Sequence, residues 1–323
     1  MPHKKVMMQR ADPMPDRRRP VMLAIAGDSA AGKTTLTRGL VAALGGDNIA
    51  SMCVDDYHAY DRTERKGLPF TPLNPACNYM DIMEQHLQLL ATGEPVLKPV
   101  YNHQAGTLDR PVLFTPTENV IVEGLLPLHS RMARACFDLS VFLDPPEDLR
   151  VAWKLKRDTG QRGYDEAQVR QELERRAAES AAFIRPQRRH ADIVVRFAPI
   201  EERDEHKKGL LSATVLLRPT VSHPDLSQIL TEDTRQAIHL KLMRDEDGKP
   251  VDALHIHAYA DRQTTRKVEE AIWGDLGIEQ ALPVDLGIIE GHTRSEPLAV
   301  VQLILLYHLL VGRRADEELQ VTS

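Results

Sequence analysis

Apolar residues fall in short runs along the first two hundred positions, with amphipathic stretches between them. Val21–Ala26 is apolar without a break, and Ile49–Val54, Asn119–Glu123, Leu139–Leu143 and Asp192–Phe197 are runs of strand length. Continuous apolar runs of that length fit strands buried on both faces. Thr34–Leu44, Tyr79–Ala91, Glu147–Thr159 and Glu166–Phe183 have the composition and length of helices, and the second of these is closed by Gly93 and Pro95. Strands alternating with helices predict an α/β architecture, a parallel sheet covered by helices on both faces over residues 20–200. Ligands of such sheets gather at the carboxyl ends of the strands.

The texture changes after about residue 200. Leu210–Arg218, Ala237–Met243 and Leu254–Ala260 alternate loosely, and the last two are joined by a loop, Arg244–Pro250, with Asp, Gly and Pro in turn positions. Helices follow near Arg262–Trp273 and Glu296–Val311. The expectation is a C-terminal α+β extension, 201–323, packed on the core. Residues 1–19 carry Lys4, Lys5, Arg10 and Arg17–Arg19 without the apolar core of a signal peptide, and are expected to be a disordered basic arm.

Composition narrows the function. With 42% hydrophobic and 27% charged residues the chain is ordinary globular protein, and a net charge of −6 argues against a partner made of nucleic acid. Three cysteines (Cys53, Cys77 and Cys136) give no disulfide framework, which points to a reducing, cytoplasmic compartment. The longest apolar stretch, Leu298–Val311, is interrupted by Gln302 and His308 and is too short to span a bilayer. It reads as a buried helix of a soluble protein with no membrane partner.

The strongest chemical signal lies between the first strand and the first helix. Gly27-Asp28-Ser29-Ala30-Ala31-Gly32-Lys33-Thr34 fits the phosphate-binding loop G-x-x-x-x-G-K-[ST], and Thr35 follows it into the helix. A strand feeding a glycine-rich turn into a helix N-terminus brings backbone N–H groups and the positive end of the helix dipole onto one anionic ligand. ATP is the expected nucleotide, with Lys33 reaching its outer phosphates and the Thr34 hydroxyl on Mg²⁺.

Further candidates stand at other strand ends. Asp55 and Asp56 close the second strand, with His58 and Arg62 after them. On an extended chain successive side chains diverge, so only one carboxylate can face the nucleotide. These residues alone leave open whether that carboxylate is a general base or part of a solvated turn. Glu123 closes the third apolar run, where a carboxylate can hold Mg²⁺. Lys154, Arg157 and Asp158 share one helix face, and Arg162 and the Arg175-Arg176 pair lie beyond. Such a surplus of cations suits an acceptor that bears its own phosphate.

Six segments together resemble the phosphoribulokinase and uridine kinase family, in its longer cyanobacterial and plant form. They are GDSAAGKTT at 27–35, CVDDYHAYDR at 53–62, KPVYNHQAGTLDRP at 98–111, VIVEGLLPLH at 120–129, KLKRDTGQRGY at 154–164 and IRPQRRHADIVV at 184–195. The resemblance implies a P-loop nucleoside-kinase-like fold and phosphoryl transfer from ATP to the C1 hydroxyl of ribulose 5-phosphate. It implies Asp55 as the general base, with Lys33, Lys154 and Arg157 acting on the transferring phosphates. His58, Arg62, Tyr101, His103, Arg162, Arg175 and Arg176 would serve the sugar phosphate. Thr34 and Glu123 would serve Mg²⁺, and Asp158 would support the metal or orient the cations. At least a homodimer is implied as well. Light-regulated members carry a cysteine inside the phosphate loop and another just before the catalytic aspartate. Here Cys53 keeps the second place and Ala31 stands in the first, so that thiol switch lacks a partner and a constitutive or metabolite-regulated enzyme is expected. Two alternatives stay open. One is a kinase of the same fold with uridine or another small acceptor, against which the 5% aromatic content counts. The other is a non-catalytic nucleotide-binding regulator, against which the presence of Lys33, Asp55 and Glu123 counts.

Overall fold

Val21–Gly27 (β1) is buried at every position, because it is the middle strand of five that run parallel with helices above and below. The computed structural model describes residues 19–321, apart from 161, 204, 222–223, 278–279 and 290–292. The expected basic arm therefore lies outside the described residues, except for Arg19, which pairs with Asp138 at 2.6 Å.

In chain order the elements are β1, α1 (Lys33–Leu44), β2 (Ile49–Cys53), α2 (Met80–Ala91), β3 (Val96–Asn102), β4 (Thr107–Phe114), β5 (Asn119–Gly124), α3 (Arg131–Arg134), β6 (Leu139–Leu143), α4 (Glu147–Gly160), α5 (Glu166–Glu179), β7 (Ile193–Ala198), α6 (Glu205–Lys208), β8 (Ser212–Leu217), α7 (Leu226–Ile229), β9 (Ile238–Arg244), β10 (Pro250–Ile256), α8 (Arg262–Asp275) and α9 (Glu296–Val321). One eight-stranded sheet runs β2-β5-β1-β6-β7-β8-β10-β9. Its first five strands are parallel, and β7/β8, β8/β10 and β10/β9 are antiparallel. The α/β fold with helices on both faces is thus as expected. The three strands after residue 200 add to the edge of the same sheet.

Two apolar layers hold it together. On one face Leu23, Ile25, Val141, Ile193, Val215 and Leu254 pack under α1, α8 and α9. On the other Met22, Ala24, Val122, Phe142 and Val194 pack under α2 and the turns around residues 54–57 and 184–191. Residues of one strand divide alternately between the two layers, as the pleat requires. The predicted buried helix is α9, whose Leu298–Leu306 segment is enclosed throughout. No helix among the described residues is long and apolar enough to cross a membrane.

Several boundaries differ from the sequence reading. The second strand stops at Cys53, and Val54–Tyr57 forms a 3₁₀ turn in place of further extended chain. The predicted helix Glu166–Phe183 begins with a capping box between Asp165 and Gln168, but regular winding ends at Glu179. A π-helical turn, Ser180–Ile184, and a 3₁₀ stretch, Arg185–His190, follow, with Pro186 barring continuation of the helix. The predicted loop 244–250 shrinks to a turn at 245–249, where the Asp245 carboxylate accepts from the N–H groups of Asp247 (3.0 Å) and Lys249 (3.1 Å). The last strand accordingly begins at Pro250, four residues ahead of expectation, proline being tolerated at the start of a strand. The hairpin β3–β4 forms a separate two-stranded sheet that sequence patterning missed. Pro99 and Pro111 read as strand breakers, and β4 is exposed at nearly every position, so it shows no alternation.

Candidate active site

The phosphate loop closes the carboxyl end of β1. A Cβ on Gly27 would lie 2.9 Å from the Leu143 carbonyl, so glycine is needed where the loop leaves the sheet. Ala30 and Gly32 both adopt left-handed backbone (φ 65 and 96), which turns consecutive N–H groups toward one concavity. Lys33 folds back, its Nζ donating to the carbonyls of Gly27 and Asp28 at 2.9 Å each. The Asp28 side chain faces the scaffold: it accepts from the Ser29 N–H (2.6 Å) and from the Ser180 hydroxyl on the π turn, with Arg150 at 3.7 Å. Arg150, nearly enclosed, also donates to the Ser29 carbonyl at 3.0 Å. The loop is therefore braced from α4 and from the end of α5.

Beside it, Thr34 and Thr37 donate to the two oxygens of Glu123 at 3.2 and 3.3 Å. Burial pushes the Glu123 carboxyl up, against the pull of Lys33 and the two hydroxyls. A threonine hydroxyl and a carboxylate that meet beside a phosphate loop are hard oxygen donors and fit Mg²⁺.

On the 3₁₀ turn the two aspartates separate, by a geometry other than the extended chain expected. Asp56 turns into the hairpin, pairing with Lys98 at 2.5 Å and accepting from the Tyr101 N–H at 3.0 Å. Asp55 turns toward the phosphate loop. Its Oδ1 is buried with no hydrogen-bond partner, and its Oδ2 lies 3.9 Å from His103 Nε2. Burial alone would raise this carboxyl, but the positive charges of His58, Lys33, His103 and Arg176 outweigh it and hold Asp55 below the ordinary aspartate range.

His58, Tyr101 and His103 form a row of edge-to-face rings, 4.8 and 5.0 Å between centroids. His58 is fixed by Asn78, Nδ1 to Oδ1 2.7 Å. Burial lowers the proton affinity of both histidines despite the nearby Asp55. The Tyr101 hydroxyl meets Arg65, whose guanidinium carbon sits 4.8 Å from the ring centroid. One nitrogen of Arg65 is buried with no partner. The sequence reading missed Arg65, because Thr63–Lys66 looks like a solvated charged turn. Arg62 itself donates to the carbonyls of His103 (2.5 Å) and Gln104 (3.4 Å) and so braces the turn of the hairpin.

Lys154 and Arg157 from α4, and Arg162 from just beyond it, surround Asp158 at 2.7, 2.8 and 3.6 Å. Burial would raise the Asp158 carboxyl, but bonds from Arg157 and Lys154 bring it below the usual range. Asp158 thus stands among three cations, each within ion-pairing distance of its carboxylate. Arg157 also reaches Ser29 Oγ at 3.4 Å. The arginine pair divides. Arg176 pairs with Glu172 at 2.5 Å and lies close enough to lower Asp55, whereas Arg175 points to the carbonyls of Leu68 and Phe70 at 3.4 Å. Glu179 was not foreseen either. It accepts from the N–H of Thr71 (3.0 Å) and from Asn74 (3.1 Å), one residue before Ser180 binds the phosphate loop.

Cys53 sits at the end of β2, opposite Glu123 in register, and Cys53, Cys77 and Cys136 are all free thiols. Burial and the charges of Asp55 and Glu123 push the Cys53 thiol well up.

A five-stranded parallel sheet in the order β2-β5-β1-β6-β7, a phosphate loop after its middle strand, and carboxylates at the ends of β2 and β5 define a nucleotide-binding α/β protein of the P-loop kinase class. Residues 22–203, more than half of the sequence, match the phosphoribulokinase / uridine kinase family, and the chain belongs to that family. It is 34% identical over 203 residues to a phosphoribulokinase of Synechocystis sp., covering 63% of this chain and 61% of that one. Against a chloroplastic phosphoribulokinase of Spinacia oleracea it is 33% identical over 206 residues, covering 58% and 51%. The chain thus spans about half to three fifths of the length of these relatives. A uridine kinase of Oceanobacillus iheyensis is 32% identical over 187 residues, covering 55% of this chain and 87% of the relative. Among solved structures, phosphoribulokinase from Rhodobacter spheroides superposes with a TM-score of 0.55 at 16% identity, over 79% of this chain and 99% of that one, a likeness of fold.

Proposed function

We propose that the chain is an ATP-dependent kinase that transfers the γ-phosphoryl group to the C1 hydroxyl of D-ribulose 5-phosphate, giving ribulose 1,5-bisphosphate and ADP. The observation that carries this reading is Asp55: a carboxylate kept ionised by its neighbours, with one buried oxygen that has no partner, lying between the phosphate loop and the His58–Tyr101–His103 row. In this reading Asp55 Oδ1 takes the proton of the attacking hydroxyl. The N–H groups of the phosphate loop bind the ATP phosphates, and Lys33 swings from its carbonyl partners to the outer ones. Mg²⁺, when bound, offsets charge on the phosphate oxygens; Thr34 and Glu123 would hold it. Lys154 and Arg157, oriented by Asp158, face the oxygens on which charge develops. The acceptor's phosphate falls to Arg65, Arg162, Arg176 and His103, Arg65 having a buried nitrogen with no partner of its own. His58 and Tyr101 orient the sugar, while Arg62 and Arg175 shape the loops around it.

A uridine kinase-like activity is the second reading, favoured by the uridine kinase relative's extensive coverage. Against it, the Tyr101 ring is already covered by Arg65 and two histidine edges and offers little stacking surface. A cytoplasmic setting and a homodimer or larger homo-oligomer belong to the same proposal. Support comes from the free thiols and from β9, the last strand of the sheet, where Leu242 and Met243 stand exposed. The deciding experiment is Mg²⁺-dependent ADP release with ribulose 5-phosphate, ribose 5-phosphate and uridine. Turnover is expected with ribulose 5-phosphate alone, and Asp55→Asn is expected to cut kcat by about 10²–10⁴-fold while leaving ATP binding intact. Turnover with uridine alone would overturn the acceptor.

A further inference from the structure

Gln302 interrupts the apolar first half of α9, and it is wholly buried. An amide in such a place needs partners for both its groups. Its Oε1 accepts from the Gly287 N–H at 2.7 Å, and its Nε2 donates to the carbonyls of Thr35 (3.3 Å) and Leu36 (3.2 Å). Thr35 and Leu36 are in the first turn of α1, directly behind Lys33 and Thr34. One side chain from the far end of the sequence therefore grips the helix that opens at the phosphate loop.

A glycine stands at each end of this grip. A Cβ at position 39 would lie 2.0 Å from Gln302 Nε2, so the amide occupies the socket that Gly39 leaves on α1. Gly287 has left-handed backbone (φ +78), and a Cβ there would meet the Ser295 carbonyl at 2.5 Å and the Ala299 side chain at 2.8 Å. Glycine inside a helix is otherwise the poorest choice short of proline. The socket explains it.

We infer that Gln302 is a positioning residue for the nucleotide. Its amide fixes the first turn of α1, and with it the loop N–H groups, Lys33 and Thr34, against the segment that follows residue 200. The inference rests on the reading of residues 27–34 as the ATP site. Coupling of this kind is reciprocal: a nucleotide that immobilises the first turn of α1 also immobilises Gly287 and α9.

The test uses the intact protein and two variants, at a temperature where circular dichroism finds all three folded. Gln302→Met keeps the volume and removes the amide; Gly39→Ala keeps the amide and fills its socket. Each is expected to weaken Mg–ATP binding by about fivefold, the factor one net hydrogen bond is worth, with the acceptor's KM within about twofold of wild type. In the intact protein, Mg–ATP is expected to slow hydrogen exchange at Gly287, and the effect is expected to vanish in Gln302→Met. Unchanged ATP affinity in both variants, or exchange at Gly287 indifferent to ATP in the intact protein, would overturn the inference. Should the intact protein bind no ATP, the reading of residues 27–34 falls instead, which is a separate result. The exchange measurement stands even if a variant does not fold.

Discussion

Arg65 combines three features that matter for a charged ligand. Its guanidinium lies over the Tyr101 ring, it holds the Tyr101 hydroxyl, and one buried nitrogen has nothing to bond to. A guanidinium nitrogen left dry is costly unless an anion arrives. Arg65→Ala is therefore expected to lower kcat/KM for ribulose 5-phosphate by about a hundredfold, with the KM for ATP within about twofold, as steady-state kinetics would read. Arg65→Lys keeps the charge but loses the fork over the ring, and should recover only part of the loss. At this scale the positions of the phosphate loop and Glu123 were legible, because an apolar strand precedes each, whereas at Asp55 the residues alone left a general base and a solvated turn both open. Arg65, Arg150, Glu179 and Ser180 were not legible, since their roles arise from contacts across 36 to 152 positions of chain. A charged turn or a helix end looks the same in sequence whether or not such a partner waits for it.

At the scale of elements, the hairpin β9–β10 carries a row of imidazoles. His239 stacks on His255 and His257 at 4.7 and 4.8 Å, its Nδ1 is 2.7 Å from His257 Nε2, and Tyr259 continues the stack. Arg203 covers Tyr259 at 3.8 Å, Lys241 lies nearby, and Thr214 meets His255 at 3.1 Å. Burial, reinforced by the neighbouring histidines and Lys241, lowers His255 and His257 to about 4. The unfolded chain takes up protons near pH 6.5, and the folded chain does so only near 4. Stability should thus be full above pH 6.5 and decline as pH falls from 6.5 toward 4. About 1 kcal/mol per imidazole is expected after allowing for solvent, visible as a falling urea midpoint between pH 7.5 and 5. His257→Gln should flatten that fall. The elements themselves were predictable where an apolar run was unbroken, as in β1, β5 and β6. They were missed where prolines and exposure hid the alternation, as in β3–β4. The end of α5 was misplaced because Ser180 satisfies Asp28 and winds wider there, a tertiary demand overriding local preference.

At the scale of the whole molecule, the sheet ends on β9, with Leu242 78% exposed and Met243 46% exposed. An edge strand bearing bare apolar side chains is a template for a second strand. If the proposed homo-oligomer forms there, Leu242→Asp should reduce the mass found by light scattering to that of a monomer while the far-ultraviolet circular dichroism stays unchanged. A mass unaffected by the variant would assign the contact to another surface.

The family match stops at residue 203, between β7 and β8, in the middle of one continuous sheet. That boundary is genealogical and not mechanical. A chain cut there would bare the backbone of β7 along its whole length and strip α9 from β1 and α1. The excised amino-terminal segment is accordingly expected to precipitate on expression or to bind a dye that reports exposed apolar surface. Engineers seeking a smaller version of this chain should shorten the hairpin turns and leave the carboxyl-terminal helix in place.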